Sequence, residues 1–256
     1  MSTSAGPDYT YVGSELELFG AAHRWKRYLR QQIRPYLKGR VLEVGAGLGA
    51  TARALSGASE TEWVCLEPDP ALASQVDGKI RARELPAHCR SVVGTTATCA
   101  DLAPFDTVLY VDVLEHIQDD RSELARACAL LAEGGHLIVL APAHQWLYTP
   151  FDRAIGHHRR YSRRALTGLD VPGLRLGDWR YLDSAGLLAS VGNRVFLRSP
   201  MPTPGQIRFW DSVLVRISQF LDPVTRYRAG KSVMVVWEKA ASRPPLPPFP
   251  RASRQG

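Results

Sequence analysis

The sequence predicts an α/β domain: a mostly parallel sheet with helices on both faces. Three observations carry the prediction. Short apolar runs alternate with helical stretches between residues 41 and 144, a glycine-rich turn (Gly45-Ala46-Gly47-Leu48-Gly49) follows the first of these runs, and a β-branched run, SVMVVWEK at 232–239, closes the pattern. Parallel strands must be joined by crossovers long enough to hold a helix, so strand and helix alternating at this spacing indicate a helix-covered parallel sheet.

Residues 1–13 are small and polar and are expected to be disordered. Ser14 to Leu37 has helical periodicity through Leu16, Phe19, Ala22, Leu29 and Ile33, and Pro35 to Gly39 end it. Strands are expected at 41–47, 62–69, 90–95, 105–116 and 136–144, with helices near 49–56, 70–84 and 119–132. Beyond 144 the alternation loosens into a loop and helix at 145–169, a strand near 174–181, helices near 183–196 and 205–221, and the strand at 232–239. The helix at 205–221 places Ile207, Trp210, Leu214, Ile217 and Leu221 on one face, a stripe suited to core, a homodimer contact, an acceptor lid or a membrane surface. The Pro- and Arg-rich segment 241–256 reads as a disordered tail, leaving 14–240 as one domain with cap elements at about 145–170 and 183–230.

The chain has 256 residues, 45% hydrophobic and 22% charged, as in ordinary globular proteins. No apolar run approaches the roughly 18 residues that span a bilayer. The N-terminus lacks the basic and apolar regions of a secretory signal, so a cytoplasmic location is expected. Cys65, Cys89, Cys99 and Cys128 have no metal-type spacing and read as buried thiols. The net charge of +7 is unevenly spread: 41–150 carries −8, and 151–240 carries +8. Such asymmetry marks either an anionic partner or a basic face that pairs with the acidic half.

The glycine turn ends a buried strand and opens a helix, the place where backbone can approach a ligand closely. Gly45-x-Gly47-x-x-Ala50, with Glu67 22 residues after Gly45, also satisfies the dinucleotide fingerprint, so a nicotinamide-dependent oxidoreductase stays open at this point. Glu43 tilts the choice, because a carboxylate inside an apolar strand needs compensation that a cationic cofactor would supply. Two further segments follow in order: Asp112-Val113-Leu114-Glu115-His116 after the fourth strand, and Leu130-Leu131-Ala132-Glu133-Gly134-Gly135 before the fifth.

With these motifs the chain resembles the class I S-adenosylmethionine-dependent methyltransferases over about residues 20–240; Glu133 stands where that family usually has proline. The resemblance implies a Rossmann-like seven-stranded sheet with an antiparallel last strand and a small helical cap. It implies S-adenosylmethionine as cofactor: Glu43, Gly45, Ala46, Gly47 and Gly49 holding the methionine moiety, Glu67 with Pro68 at the ribose, Thr95 and Thr96 at the adenine, and Asp112, Val113 and Leu114 at the sulfonium. A hydroxyl acceptor requires a general base near the end of strand four or five, and His144 is placed there, with Asp112 and His116 as rivals.

The segment from Trp146 to Arg164 is the densest polar constellation in the chain. Trp146, Tyr148 and Tyr161 offer ring faces, and His116, Asp152, His157, His158 and Arg160 offer hydrogen bonds; together they would suit a sugar. His144, Asp152 and His157 could also assemble a divalent-metal site, for example for Mg. The pattern looks like a bacterial subgroup tied to polysaccharide and glycolipid pathways, which implies a carbohydrate or glycolipid-precursor acceptor. Methylation of RNA or of a small molecule is the alternative; nucleic acid is disfavoured because DVLE stands where amino-methylating enzymes carry an N-P-P-Y type motif.

Overall fold

A computed structural model describes residues 15–192 and 203–241. The segments 1–13 and 242–256, and the end of the helix expected at 183–196, lie outside the described residues. The strands are β1 (Gly39–Val44), β2 (Glu60–Glu67), β3 (Cys89–Val93), β4 (Phe105–Val111), β5 (Leu131–Pro142), β6 (Leu174–Leu182) and β7 (Ser232–Lys239). They form one sheet in the order β3-β2-β1-β4-β5-β7-β6. The first five run parallel, and β7 inserts antiparallel between β5 and β6. The architecture is therefore the Rossmann-like seven-stranded one that the motifs imply.

The helices are α1 (Glu15–Gly20), α2 (His23–Ile33), α3 (Ala50–Leu55), α4 (Pro70–Arg81), α5 (Asp120–Leu130), α6 (Pro150–Ala154), α7 (Arg163–Thr167), α8 (Ser184–Gly192), α9 (Pro204–Phe209) and α10 (Val215–Val224). The sheet separates two apolar layers. Leu42, Val64, Val108 and Val139 face one of them, while Val41, Trp63, Leu109 and Ile138 face the other, as the two-residue period of a strand buried on both sides requires. All four cysteines are buried free thiols.

Two helices differ from expectation. The single helix read at 14–37 breaks after Gly20. Lys26 Nζ donates to the carbonyls of Phe19 (2.7 Å) and Gly20 (3.2 Å), and Asp211 accepts from the backbone amides of Arg24 and Trp25, so a new helix starts under its own cap. The helix read at 205–221 is α9 and α10 joined by a π-turn, Trp210–Leu214. The wider turn shifts the helical phase. Ile207 is buried as the stripe predicts, but Ile217 is 43% exposed and Val215, Ser218 and Asp222 face inward instead.

Asp222 ties this helical layer to the sheet. It is fully buried and accepts from Tyr28 Oη (2.7 Å), Asp183 N (2.8 Å) and Ser184 N (3.0 Å). No helix among the described residues is long and apolar enough to cross a membrane.

Candidate active site

The site lies at the carboxyl ends of β1, β2 and β4, where open α/β sheets bind ligands. After Val44 the chain turns sharply: the amides of Gly45 (2.8 Å) and Ala46 (3.1 Å) both donate to Leu66 O. Gly45 has φ 68°, and a Cβ there would sit 2.7 Å from Val113 Cγ2, so only glycine lets the loops after β1 and β4 approach this closely. Gly47, at φ 53°, turns its amide onto Glu67 Oε2 (2.7 Å), while Glu67 Oε1 accepts from Asp69 N (3.1 Å). Burial raises the pKa of Glu67, and the two amides oppose that rise. Asp69 then caps α4, its Oδ1 accepting from Ala71 N at 2.7 Å.

These loops enclose a cleft of about 400 Å³, within the usual range of small-molecule sites, roughly 300–1,000 Å³. Gly45, Gly47, Glu67, Pro68, Thr95, Thr96, Asp112, Val113 and His116 all line it. So do Leu16, Leu72, Glu123 and Arg126, which sequence reasoning missed. Leu16 belongs to α1 and lies over Gly47. Glu123 and Arg126 stand three apart on α5 and pair at 2.8 Å; Glu123 also accepts from Thr96 Oγ1 (2.9 Å) and Tyr110 Oη (2.7 Å), bracing one end of the cleft. Helix periodicity alone marks such residues as an ordinary charged pair, so no sequence signal distinguishes them.

Four of the residues expected at the cofactor do not line the cleft: Glu43, Ala46, Gly49 and Leu114. Leu114 is core, and Glu43 is turned away from the cleft. The Glu43 carboxylate accepts from Trp63 Nε1 (2.7 Å), with Thr51 and the Ala52 backbone as further hydrogen-bond partners. Burial outweighs these bonds and pushes its pKa up to about 7. The sequence argument placed Glu43 at the cofactor; in the fold its hydrogen-bond partners are protein donors and it does not line the cleft.

At the other end, Asp112 (φ 54°) is open to the cleft while protein surrounds its remaining sides, which raises its pKa. The cations of Lys231, Lys26 and Arg160 oppose that rise. Next to it, Glu115 is fully buried and His157 nearly so, and the His116 ring meets the His157 ring edge-on at 4.6 Å. His157 Nδ1 lies 3.0 Å from Asp152 Oδ1. Asp152 also accepts from Arg160 Nε (2.8 Å) and Nη2 (3.0 Å) and from Thr149 N and Oγ1 (2.8 Å each), and these bonds hold its pKa well below the ordinary carboxylate value.

The expected metal trio is not assembled. Asp152 spends its lone pairs on Arg160, Thr149 and His157, and His144 Nε2 bonds Gly230 O at 3.0 Å. His144, the expected base, does not line the cleft; it stacks on Tyr181 (5.1 Å between ring centres) and lies against Trp146 (5.5 Å). Burial lowers its pKa. Of the residues expected at the acceptor, Tyr148 donates to His157 O (2.6 Å), and Tyr161 is buried with its hydroxyl on Asp120 (2.7 Å), so both rings brace the loop. Trp146 and His158 are exposed. A second depression of about 710 Å³ adjoins Tyr181 and is lined by Arg163, Arg164, Trp179 and Arg228. The basic segment divides accordingly: Arg159 pairs with Asp120 (2.6 Å) and Arg160 with Asp152, while Arg163 stacks on Trp179 at 3.8 Å.

Residues 20–191 match a family model described as a methyltransferase domain. The chain belongs to this methyltransferase family. It is thus an S-adenosylmethionine-dependent methyltransferase, and the cleft at the glycine loop suits that cofactor: a glycine turn which a Cβ would fill, beside a buried carboxylate at the end of β2. Solved structures similar to the methyltransferase include the [4+2]-cyclase SpnF (15% identity over 90% of this chain and 96% of that one, TM-score 0.58). An S-adenosylmethionine-dependent methyltransferase from Archaeoglobus fulgidus is 14% identical over 88% of this chain and 97% of its own (TM-score 0.54). Coclaurine N-methyltransferase bound to N-methylheliamine and S-adenosylhomocysteine is 14% identical over 93% and 77% (TM-score 0.55). At such identities the likeness is one of fold. No curated protein matches the methyltransferase significantly.

Proposed function

We propose that this methyltransferase acts on a hydroxyl of a carbohydrate acceptor. The observation that carries the reading is the aromatic and arginine surface on the loop after β5, the end of β6 and the start of α7, running from Trp146 through His144 and Tyr181 to Trp179 and Arg163. Ring faces flanked by guanidinium donors suit a sugar ring, which offers C–H groups to an aromatic face and hydroxyls to hydrogen-bond donors. The partition of the basic segment supports a small polar acceptor over RNA, because Arg159 and Arg160 are already paired internally.

When bound, S-adenosylmethionine supplies a methyl group on a sulfonium leaving group. The residues assigned to hold it are Gly45 and Gly47 at the methionine end, Glu67 and Pro68 at the ribose, Thr95 and Thr96 at the adenine, and Asp112 and Val113 beside the sulfonium. In-line displacement asks the protein mainly for orientation, plus a group to take the acceptor proton. We assign that proton to Asp112, which opens on the cleft, and assign orientation of the acceptor's outer part to His144 with Trp146, which lie outside the cleft lining.

The test is transfer of labelled methyl to oligosaccharides, glycolipid precursors, small phenols and RNA in parallel. Label in the sugar fractions is expected; label confined to RNA or to amines overturns the acceptor class. Asp112→Asn should lower turnover by about 100-fold, and His144→Ala should chiefly raise the acceptor KM. Unchanged turnover in Asp112→Asn refutes its assignment.

A further inference from the structure

We propose that Glu115, His116 and His157 form a binding site for a divalent transition metal of the zinc class, with Asp152 as the outer support that fixes His157. One ligand atom from each of the three residues lies within 4.8 Å of the other two. Bonds of about 2.0–2.2 Å hold ligand atoms roughly 3–4 Å apart, so closing the site takes shifts of about 1 Å.

The second observation is the state of Glu115. It is 0% exposed, yet neither carboxylate oxygen accepts a hydrogen bond from another residue; only its own backbone amide lies alongside. A buried carboxylate without hydrogen-bond donors is costly even with the Arg160 charge acting on it, so these two oxygens are placed to take a cation.

The geometry of His157 says where that cation sits. Asp152 already accepts four hydrogen bonds from Arg160 and Thr149 and can only accept at Oδ1, so the proton of His157 is on Nδ1 (3.0 Å). Its Nε2 lone pair then points toward Glu115 Oε1 at 3.7 Å, too far for a hydrogen bond and with an acceptor on each side of the gap. A carboxylate holding the far nitrogen of an imidazole whose near nitrogen faces a second carboxylate is the outer-shell arrangement of metal-binding histidines. His116 packs edge-on against His157 and also lines the cleft, so the third ligand joins the site to the cofactor side.

Two imidazole nitrogens and one carboxylate oxygen favour zinc, cobalt, iron or manganese over magnesium, which prefers oxygen ligands throughout. Three protein ligands leave at least one coordination position for water or for an oxygen of a molecule in the cleft. The site thus differs in residues and in metal class from the His144, Asp152 and His157 trio read from the sequence. It stands on its own geometry, whatever hydroxyl the cleft receives.

The test uses the full chain, stripped with chelator and titrated with Zn²⁺ and, for its visible spectrum, Co²⁺. One equivalent should bind saturably, and Mg²⁺ should not displace it. Glu115→Gln, which keeps the side-chain shape, and His157→Asn should each weaken binding by at least about 10-fold, and Asp152→Asn by about 10-fold. Should the variants fold poorly, long-range ¹H–¹⁵N spectra of the wild-type histidines decide the matter, since Zn²⁺ should shift the ring nitrogens of His116 and His157. Absence of saturable binding, equal affinity in Glu115→Gln, or shifts confined to other histidines overturns the proposal.

Discussion

Replacing Glu43 by Gln tests how the sheet tolerates a buried carboxylate. Glu43 is 2% exposed and its pKa is raised from 4.5 to about 7. Because the folded state holds the proton more tightly than the unfolded chain, this group's contribution to stability is fully present below about pH 4.5 and is lost as pH rises toward 7. Those two pKa values give a linkage cost of about 0.8 kcal/mol at pH 5 and about 3.3 kcal/mol at pH 8. Glutamine carries no such cost. Its oxygen still accepts from Trp63, while its amide group meets the Ala52 backbone donor, a mismatch that costs the same at every pH. The pH-dependent part is therefore the clean readout: relative to wild type, Glu43→Gln should gain about 2.5 kcal/mol between pH 5 and pH 8, or about 5–10 °C in Tm. Thermal melts by circular dichroism across that range measure it. A stability difference between variant and wild type that stays constant with pH would refute a carboxylate with raised pKa at this position.

Gly45→Ala should weaken S-adenosylhomocysteine binding by at least about 10-fold in calorimetry, since the left-handed backbone costs about 1–2 kcal/mol and the new Cβ would meet Val113. Glu67→Gln keeps one acceptor for two backbone amides and should loosen the glycine turn, lowering the same affinity by about 10-fold; an unchanged affinity would remove Glu67 from the cofactor site. Asp222→Ala strands three buried donors and should cost about 3 kcal/mol, read as a fall of about 6–12 °C in Tm.

Much of the fold was legible because the pattern that encodes it is local. Continuous apolar runs such as those around Val41, Val64 and Val108 are what a strand buried on both faces requires, and the SVMVVWEK run supplied β7. The glycine turn, Glu67 and Asp112 were legible for a similar reason, since strand ends converge on one edge of a parallel sheet wherever their loops go afterwards. Phase was not legible across the π-turn: one widened turn rotated Ile217 out and Asp222 in, and nothing in the periodicity of 205–221 announces it. Nor was side-chain direction at Glu43, whose place in the chain suggested the cofactor while its place in the pleat turned it toward Trp63.

The sequence by itself thus determined the sheet, its order of elements and the loops that form the cleft at the ends of β1, β2 and β4, because hydrophobic period and glycine conformations act between near neighbours. Only the tertiary structure decided how the charges and histidines are used. It joined Arg160, Asp152 and His157 into one chain of contacts, set Glu115 and His116 beside them, and left His144 stacked on Tyr181 from a distant strand. Such pairings depend on how separate loops pack at the sheet edge, and spacing along the chain does not encode that distance.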